Sequence, residues 1–173
     1  MSAAKAWKMS AEYRTYFKTW VSPPLRWIRA WEFSSLGRKL MNGPDGKIVT
    51  LPESPAAHAP AQPSFSGRMC VLIGPQTFSS ATDFADAIKT YHLGTLIGEE
   101  TGGRPNGFGE AYIFRLPRSQ LAVSVSSALF VRASGDTTDH RGVVPDVVVA
   151  PTDADRRAGK DPVMGRAKDC RPE

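Results

Sequence analysis

The sequence has few of the residues that build metal centres and disulfide frameworks. Its 173 residues include two cysteines and three histidines, dispersed along the chain. Zinc sites need closely spaced cysteine and histidine ligands, so we expect no metal ion. One cysteine pair does not establish a disulfide. We therefore expect Cys70, which lies within an apolar run, to be a buried free thiol, and Cys170, near the terminus, to be an exposed one.

Long apolar runs and phosphate-binding loops are also missing. No stretch approaches the roughly twenty apolar residues of a transmembrane helix. Lys5, Lys8, Glu12 and Arg14 interrupt the N-terminus, so it has no signal-peptide core. The glycines match neither Gly-x-Gly-x-x-Gly nor a Gly-Lys-Ser/Thr loop. The sequence therefore predicts no membrane span, no encoded export signal and no nucleotide or other cofactor.

Positive charge is concentrated in the first third of the chain. Residues 1–63 hold nine Lys/Arg and four Asp/Glu, a net charge of +5, which equals the formal net charge of the whole chain. The same segment contains all four tryptophans, Trp7, Trp20, Trp27 and Trp31. Interleaved basic and aromatic residues can indicate a membrane surface or nucleic acid, or a stripe of packing residues. We favour packing by two helices that the Pro23-Pro24 pair separates, and expect no nucleic-acid partner.

The most informative stretch runs from an apolar strand into a helix. Residues 69–73 form a short run with β-branched residues, closed by Gly74-Pro75, which predicts a buried strand ending in a turn. Apolar residues then recur at helical spacing from residue 81 to residue 91. Ser79 and Ser80 stand at the junction. A hydroxyl there either caps the helix or acts as a nucleophile whose oxyanion the helix N-terminus stabilises.

Three further motifs follow in order. Gly-Glu-Glu-Thr-Gly-Gly at residues 98–103 ends a second apolar strand, and residues 108–116 and 120–131 read as two strands joined by a turn. Gly-Val-Val-Pro-Asp occupies residues 142–146, and Asp-Pro-Val-Met at residues 161–164 opens a last helix. The alternation of strands and helices predicts an α/β sheet flanked by helices.

Together these motifs resemble the tail-specific, or C-terminal-processing, serine peptidase family. Thr-Phe-Ser-Ser-Ala at residues 77–81, with the two later glycine motifs, is most similar to the branch of tricorn-type core peptidases and interphotoreceptor retinoid-binding modules. The resemblance covers roughly residues 66–168. It implies the crotonase/Clp-protease-like superfold of stacked β-β-α units.

The resemblance also implies site residues. Aligning residues 81–84 with the family's Ala-Ser-Glu-Ile run puts the nucleophile at Ser80, with Ser79 as the alternative and the Ala81 N–H as an oxyanion donor. Asp139 matches the family's acidic residue. Arg104 takes the turn position of the lysine in the lysine-dyad branch, and arginine cannot act as a base near neutral pH.

No histidine matches the family's general base. His58 lies in a Pro/Ala-rich stretch that we expect to be a linker. His92 follows the helix predicted at residues 81–91, and the dipole at the C-terminal end of that helix favours a histidine. His140 stands beside Asp139, so it is either a surface residue or an auxiliary base for Ser80. The upstream Asp-Leu-Arg-x-Asn-x-Gly-Gly turn of the family has no counterpart in residues 1–65.

These observations predict three segments: a basic, Trp-rich helical leader (1–50), a Pro/Ala-rich linker (51–65) and the C-terminal part of a tail-specific peptidase domain (66–173), whose fold is therefore incomplete. The missing elements would leave the strand at 69–73 with an open edge for a homo-oligomer or another partner. Family members are often exported or periplasmic, and the compartment of this chain stays open.

The resemblance implies a serine peptidase that acts on unfolded or C-terminal polypeptide segments, with Ser80 as nucleophile and Asp139 as the orienting acid. Because the base and one oxyanion donor are missing, a catalytically inactive module that binds a peptide or an apolar ligand is the alternative. A third hypothesis is an interaction protein whose basic, aromatic leader docks on a membrane or an acidic partner.

Overall fold

The computed structural model describes residues 2–52, 65 and 67–170, a mixed α/β chain. It divides into two compact units. The motif unit comprises Met1–Ala3, Ser54–Asn106 and Val131–Glu173, and the aromatic unit comprises Ala4–Glu53 and Gly107–Phe130. No helix in the described part of the chain is long and apolar enough to cross a membrane.

The aromatic unit is built on a four-stranded sheet in the order β2-β1-β6-β5. Its strands are β1 (Ala4–Lys8), β2 (Ile48–Pro52), β5 (Gly107–Arg115) and β6 (Ala122–Val131). Between β1 and β2 lie α1 (Ala11–Lys18), α2 (Pro23–Trp27), a 3-10 helix (Ala30–Phe33) and α3 (Ser35–Asn42). The side chains of Ser10 and Ser34 cap α1 and α3 by accepting bonds from the Tyr13 and Gly37 N–H groups.

The leader packs through its aromatic residues, as the sequence predicts. The core of the aromatic unit consists of Trp7, Met9, Tyr13, Phe17, Trp31, Leu40 and Ala128. Trp20 is 45% exposed and packs by its edge on Phe17 and Tyr16. The prediction of two helices was wrong, because the segment also supplies β1 and β2, which pair with each other antiparallel. Such pairing joins residues 40 to 48 positions apart, so local spacing does not reveal it.

The motif unit contains a three-stranded parallel sheet in the order β3-β4-β7. The strands are β3 (Cys70–Ile73), β4 (Thr95–Gly98) and β7 (Val147–Val148). Its helices are α4 (Ser80–Thr90), α5 (Asp153–Arg157) and α6 (Pro162–Lys168). Ile73, Ala85, Ile88, Leu96 and Val143 form the core between sheet and helices.

Strand β3 is an edge strand within the described residues, because it pairs with β4 alone. The prediction that it is fully buried was wrong. Only Ile73 is buried, and Leu72 is 36% exposed. An edge strand has a neighbouring strand on one side only, so its open side leaves part of the strand accessible to solvent.

The prediction of two free thiols was also wrong. Cys70, at the start of β3, forms a disulfide with Cys170, which follows α6, and their Cα atoms are 6.5 Å apart. The pairing depends on α6 packing against β3, a contact between segments one hundred residues apart. His58 and most of the linker segment lie outside the described residues. Strand β2 includes the first two residues of that segment and ends at Pro52.

Candidate active site

The segment between β3 and α4 is a tight turn closed by Thr77. The Thr77 N–H donates to the Gly74 carbonyl at 2.8 Å, and the Gly74 N–H donates to the Thr77 hydroxyl at 3.1 Å. The Thr77 carbonyl accepts two further bonds, from the Gly103 N–H at 2.9 Å and from the Thr82 hydroxyl at 3.0 Å. Thr77 therefore fixes the turn that delivers Ser79 and Ser80 to the start of the helix.

The backbone of Ser79 adopts a conformation that L-residues rarely take. Its φ of 54° and ψ of −130° lie outside the α and β regions. Such outliers cost of order 1–3 kcal/mol and cluster at functional sites. Helix α4 begins at the next residue, so Ser80 stands in the first turn after the strand, as the sequence predicts.

Neither serine caps helix α4 with its side chain. Ser79 is the N-cap residue of α4, yet its side chain accepts no bond from the helix. Within the described part of the chain, neither hydroxyl has a hydrogen-bond partner. The capping alternative for these two hydroxyls therefore has no support in the geometry.

The two N–H groups that follow the serines differ. The Ala81 N–H donates to the Phe78 carbonyl at 3.2 Å. The Ser80 N–H makes no hydrogen bond within the described residues. A helix N-terminus carries partial positive charge on such unpaired N–H groups, so the Ser80 N–H is available to an anion.

The glycine turn after β4 packs directly on this segment. A Cβ at Gly102 would lie 2.2 Å from the Pro75 carbonyl oxygen, and one at Gly103 would lie 2.3 Å from the Thr82 hydroxyl. Only glycine permits both approaches, because any side chain would overlap these atoms. The Gly-Glu-Glu-Thr-Gly-Gly motif thus supports the turn that carries the serines.

The third motif closes on the second through Thr101. This residue is buried, and its hydroxyl accepts the Val143 N–H at 2.8 Å and donates to the Gly103 carbonyl at 2.8 Å. The Glu100 carboxylate accepts the Gly142 N–H at 2.9 Å and pairs with Arg141 at 2.7 Å. Three sequence motifs therefore form one hydrogen-bonded block in the motif unit.

Asp146 has a structural role. Its carboxylate accepts the N–H of Leu96 in β4 at 2.9 Å and pairs with Lys89 at 2.8 Å. Burial alone would raise the pKa of Asp146, but the bonds from Lys89 and the Leu96 N–H bring it below its ordinary value. The carboxylate ties α4, β4 and the loop before β7 together.

Asp139 is ionised and held by two groups. One carboxylate oxygen pairs with the Arg132 guanidinium and the other accepts the Arg141 N–H at 2.9 Å. The bond from the Arg141 N–H, together with Arg132, holds the pKa of Asp139 below its ordinary value. No hydrogen bond joins Asp139 to Ser79 or Ser80 in the described part of the chain.

Three residues around Asp139 escaped sequence reasoning. Asp86 on α4 pairs with Arg132, and Asn106 donates to the Asp139 carbonyl at 2.7 Å. Asp86 offered one signal, a carboxylate at a buried position of an amphipathic helix, where charges are rarely unpaired. Arg132 and Asn106 offered none, because Asp86 lies 46 positions from Arg132 and the partners of Asn106 lie 26 to 33 positions away.

The remaining site candidates form no hydrogen bond with the serines in the described part of the chain. Arg104 and His140 are exposed, and neither makes a hydrogen bond or ion pair within the described residues. His92 is exposed and follows the end of α4, as expected. No group of three or more potential metal ligands occurs among the described residues.

Comparison with known proteins agrees with this organisation. The profile of peptidase family S41 matches residues 32–149, more than half of the chain. A structure of mature CPAF complexed with lactacystin is 18% identical over 97% of this chain and 38% of that one, with a TM-score of 0.57. A second structure of mature CPAF is 16% identical over 98% and 36% of the two chains, with a TM-score of 0.52.

A structure of the tricorn protease is 22% identical over 68% of this chain and 12% of that one, with a TM-score of 0.42. This chain thus spans little more than a third of the CPAF chains that it matches. At these identities the CPAF structures indicate a shared fold.

Proposed function

The chain belongs to peptidase family S41, and we propose that it supplies the nucleophile of a serine peptidase that cleaves unfolded or C-terminal polypeptide segments. The family and the CPAF likeness support a peptidase domain with a mixed α/β fold. The crotonase/Clp-like stacking and the tail-specific substrate class are part of the proposal. So is the division into a leader, a linker and a catalytic part.

We assign the nucleophile to Ser79 rather than to Ser80, which the sequence alignment favoured. The observation that carries this assignment is the strained backbone of Ser79, with φ 54° and ψ −130°. A nucleophile on a sharp strand-to-helix turn adopts this kind of conformation, which exposes its hydroxyl. The alternative Ser80 has ordinary helical surroundings and would need the Ala81 N–H, which already donates to Phe78.

In the proposed reaction, the Ser79 hydroxyl oxygen attacks the scissile carbonyl carbon and transfers its proton to a general base. The carbonyl oxygen becomes an oxyanion, which the Ser80 N–H stabilises at the N-terminus of α4. Collapse of the tetrahedral intermediate then breaks the C–N bond as the leaving amine takes a proton. Water hydrolyses the resulting ester in the same way and frees Ser79.

Asp139 serves in this proposal as an orienting carboxylate. Its lowered pKa keeps it ionised at neutral pH, so it is a poor proton acceptor for the reaction. Its charge instead suits the stabilisation of a cationic base in the transition state.

The described residues include no side chain hydrogen-bonded to either serine that could act as the general base. His140 and His92 are exposed, and neither forms a hydrogen bond with Ser79 or Ser80 among the described residues. A base on another segment or chain would complete the site, and the edge of β3 is where we propose that such a partner or a second copy pairs. The missing base also favours the second candidate function, an inactive module of the same fold that binds a polypeptide.

A fluorophosphonate probe and an unstructured fluorogenic peptide test the nucleophile on the whole chain. We expect slow, saturable labelling and weak turnover, since lack of a general base costs about 10²–10⁴ in rate. Ser79→Ala should abolish both signals, and the matched control Ser80→Ala should retain labelling within about tenfold. If Ser80→Ala abolished labelling and Ser79→Ala retained it, Ser80 would be the nucleophile. Peptide binding without any Ser79-dependent labelling would favour the inactive module.

A further inference from the structure

We propose that Arg132 and Asp86 are positioning residues for the Asp139 carboxylate. Arg132 connects Asp139 to Asp86, which lies on helix α4, the helix that starts at the serine pair. This inference rests on the proposed function in one respect, namely that Asp139 is the acid of the site. It concerns two residues that no motif marks, and it accounts for how the acid and the nucleophile keep a fixed separation.

Asp86 is the anchor. Its side chain is 3% exposed, and it lies on α4 six positions after Ser80, about 9 Å along the helix axis. Its carboxylate accepts the Ala133 N–H at 2.6 Å and two guanidinium N–H groups of Arg132, at 2.9 and 3.2 Å. A buried carboxylate with three donors is fixed in place, because loss of any donor would leave it uncompensated.

Arg132 is the bridge. Two of its nitrogens, Nε and Nη2, face Asp86, and the third, Nη1, donates to Asp139. The guanidinium is planar and rigid, so anchoring one side of the fork on Asp86 fixes the direction of the other. Lysine, with a single rotatable ammonium, cannot hold two carboxylates in one plane in this way.

Asn106 fixes the backbone at both ends of this bridge. Its Oδ1 accepts the Arg132 N–H at 2.9 Å, and its Nδ2 donates to the Asp136 and Asp139 carbonyls at 2.7 Å each. The loop that carries Asp139 is therefore tied to the arginine through main chain as well as side chain. A loop residue secured in this manner loses little entropy when a substrate arrives.

The bond between Arg132 and Asp139 is not needed to compensate the buried charge of Asp86. Asp86 is already satisfied by Ala133 and by one side of the guanidinium. The remaining arm reaches a carboxylate that is 38% exposed and could have been solvated by water. Asp139 also faces the negative charge of Asp136, and Glu100 faces Asp139 from the glycine turn. Arg132 offsets this repulsion and selects one orientation of the Asp139 side chain.

The first experiment measures the Asp139 carboxyl pKa by ¹³C NMR titration of the whole chain. Arg132→Met should raise that pKa towards the ordinary value of about 3.9. The matched control Arg166→Met, which breaks the exposed Arg166–Asp169 pair on α6, should leave it unchanged. Arg132→Lys keeps the positive charge and removes the planar guanidinium, so it tests the geometry of the arginine. It also provides a second variant in case the methionine variant does not fold.

The second experiment measures Ser79-dependent turnover, or probe labelling if turnover is too slow. Positioning predicts that Arg132→Lys and Asp86→Asn each lower kcat by about 10- to 100-fold with KM within about twofold, because neither side chain touches substrate. A folded Arg132→Lys protein with wild-type kcat and an unchanged Asp139 pKa would overturn the inference. If the wild type shows no serine reactivity, the proposed function fails, and the Asp139 pKa still decides whether Arg132 holds this carboxylate.

Discussion

At the scale of single residues, two glycines and one serine define the candidate site. Gly102 and Gly103 are required by contact, since a Cβ added at either would overlap the Pro75 carbonyl oxygen or the Thr82 hydroxyl. Ser79 carries backbone strain that glycine would relieve, yet a serine occupies the position. A side chain kept at a strained position is explained most simply by a need for its hydroxyl.

Gly103→Ala tests the contact between the glycine turn and the serine turn. The added methyl group would overlap the Thr82 hydroxyl and press on the Phe78 backbone, so the free energy of unfolding should fall by about 1–3 kcal/mol. Gly165→Ala is the control, because Gly165 lies in α6 with nothing within 4 Å of an added Cβ. That change should raise stability by about 0.5–1 kcal/mol. Urea denaturation measures both, and equal effects would contradict the contact.

At the scale of elements, the disulfide joins the strand that leads to the serines to the C-terminal helix. Strand β3 has only β4 as a hydrogen-bonded neighbour among the described strands, and α6 packs against both. The Cys70–Cys170 bond therefore secures an edge strand whose backbone pairing is one-sided. The position of the serine turn depends on that strand, since the turn begins immediately after Ile73.

Replacing both cysteines by serine should lower the free energy of unfolding by about 2–4 kcal/mol, because the bond closes a loop of one hundred residues in the unfolded chain. Urea denaturation of the oxidised wild type and the double variant provides the measurement. The wild type in dithiothreitol should match the variant. A denaturation midpoint that reductant does not change would show that the bond is absent in solution.

At the scale of the whole molecule, ionised carboxylates set the acid limit of stability. The pKa values of Glu100, Asp136, Asp139, Asp146 and Asp155 are all lowered by hydrogen bonds or cationic partners in the fold, although burial opposes this, most strongly at Asp146. A lowered pKa in the folded state gives stability that is complete above the unfolded pKa of about 4. That stability is lost as pH falls through the folded values.

We therefore expect a urea midpoint that stays nearly constant from pH 6 to 8 and drops steadily below about pH 4. At alkaline pH, burial and the nearby Glu110 raise the pKa of Tyr13 in the folded state. The stability that the protonated Tyr13 contributes is therefore complete below its unfolded pKa of about 10 and is lost as pH rises above that value towards the folded pKa. Tryptophan fluorescence across the pH series measures the midpoint. A midpoint that is equal at pH 7 and pH 3 would contradict the role of the carboxylates.

The sequence alone determined the features that depend on neighbours along the chain. Helical spacing after residue 80 predicted the start of α4, and apolar alternation predicted β5 and β6 to within two residues at each end. The order of motifs also identified the family, because each motif is a short turn whose glycine, proline or serine has a local geometric purpose.

Tertiary structure decided whatever depends on distant partners. The Cys70–Cys170 bond, the β1–β2 pairing in the leader and the Asp86–Arg132–Asp139 bridge each join segments that no local pattern connects. The preference for Ser79 over Ser80 has the same origin. Both serines satisfy the sequence pattern. In the fold the backbone of Ser79 is strained, and the Ser80 N–H beside it has no partner among the described residues. Backbone conformation at a junction is set by the elements it connects, and therefore by the fold.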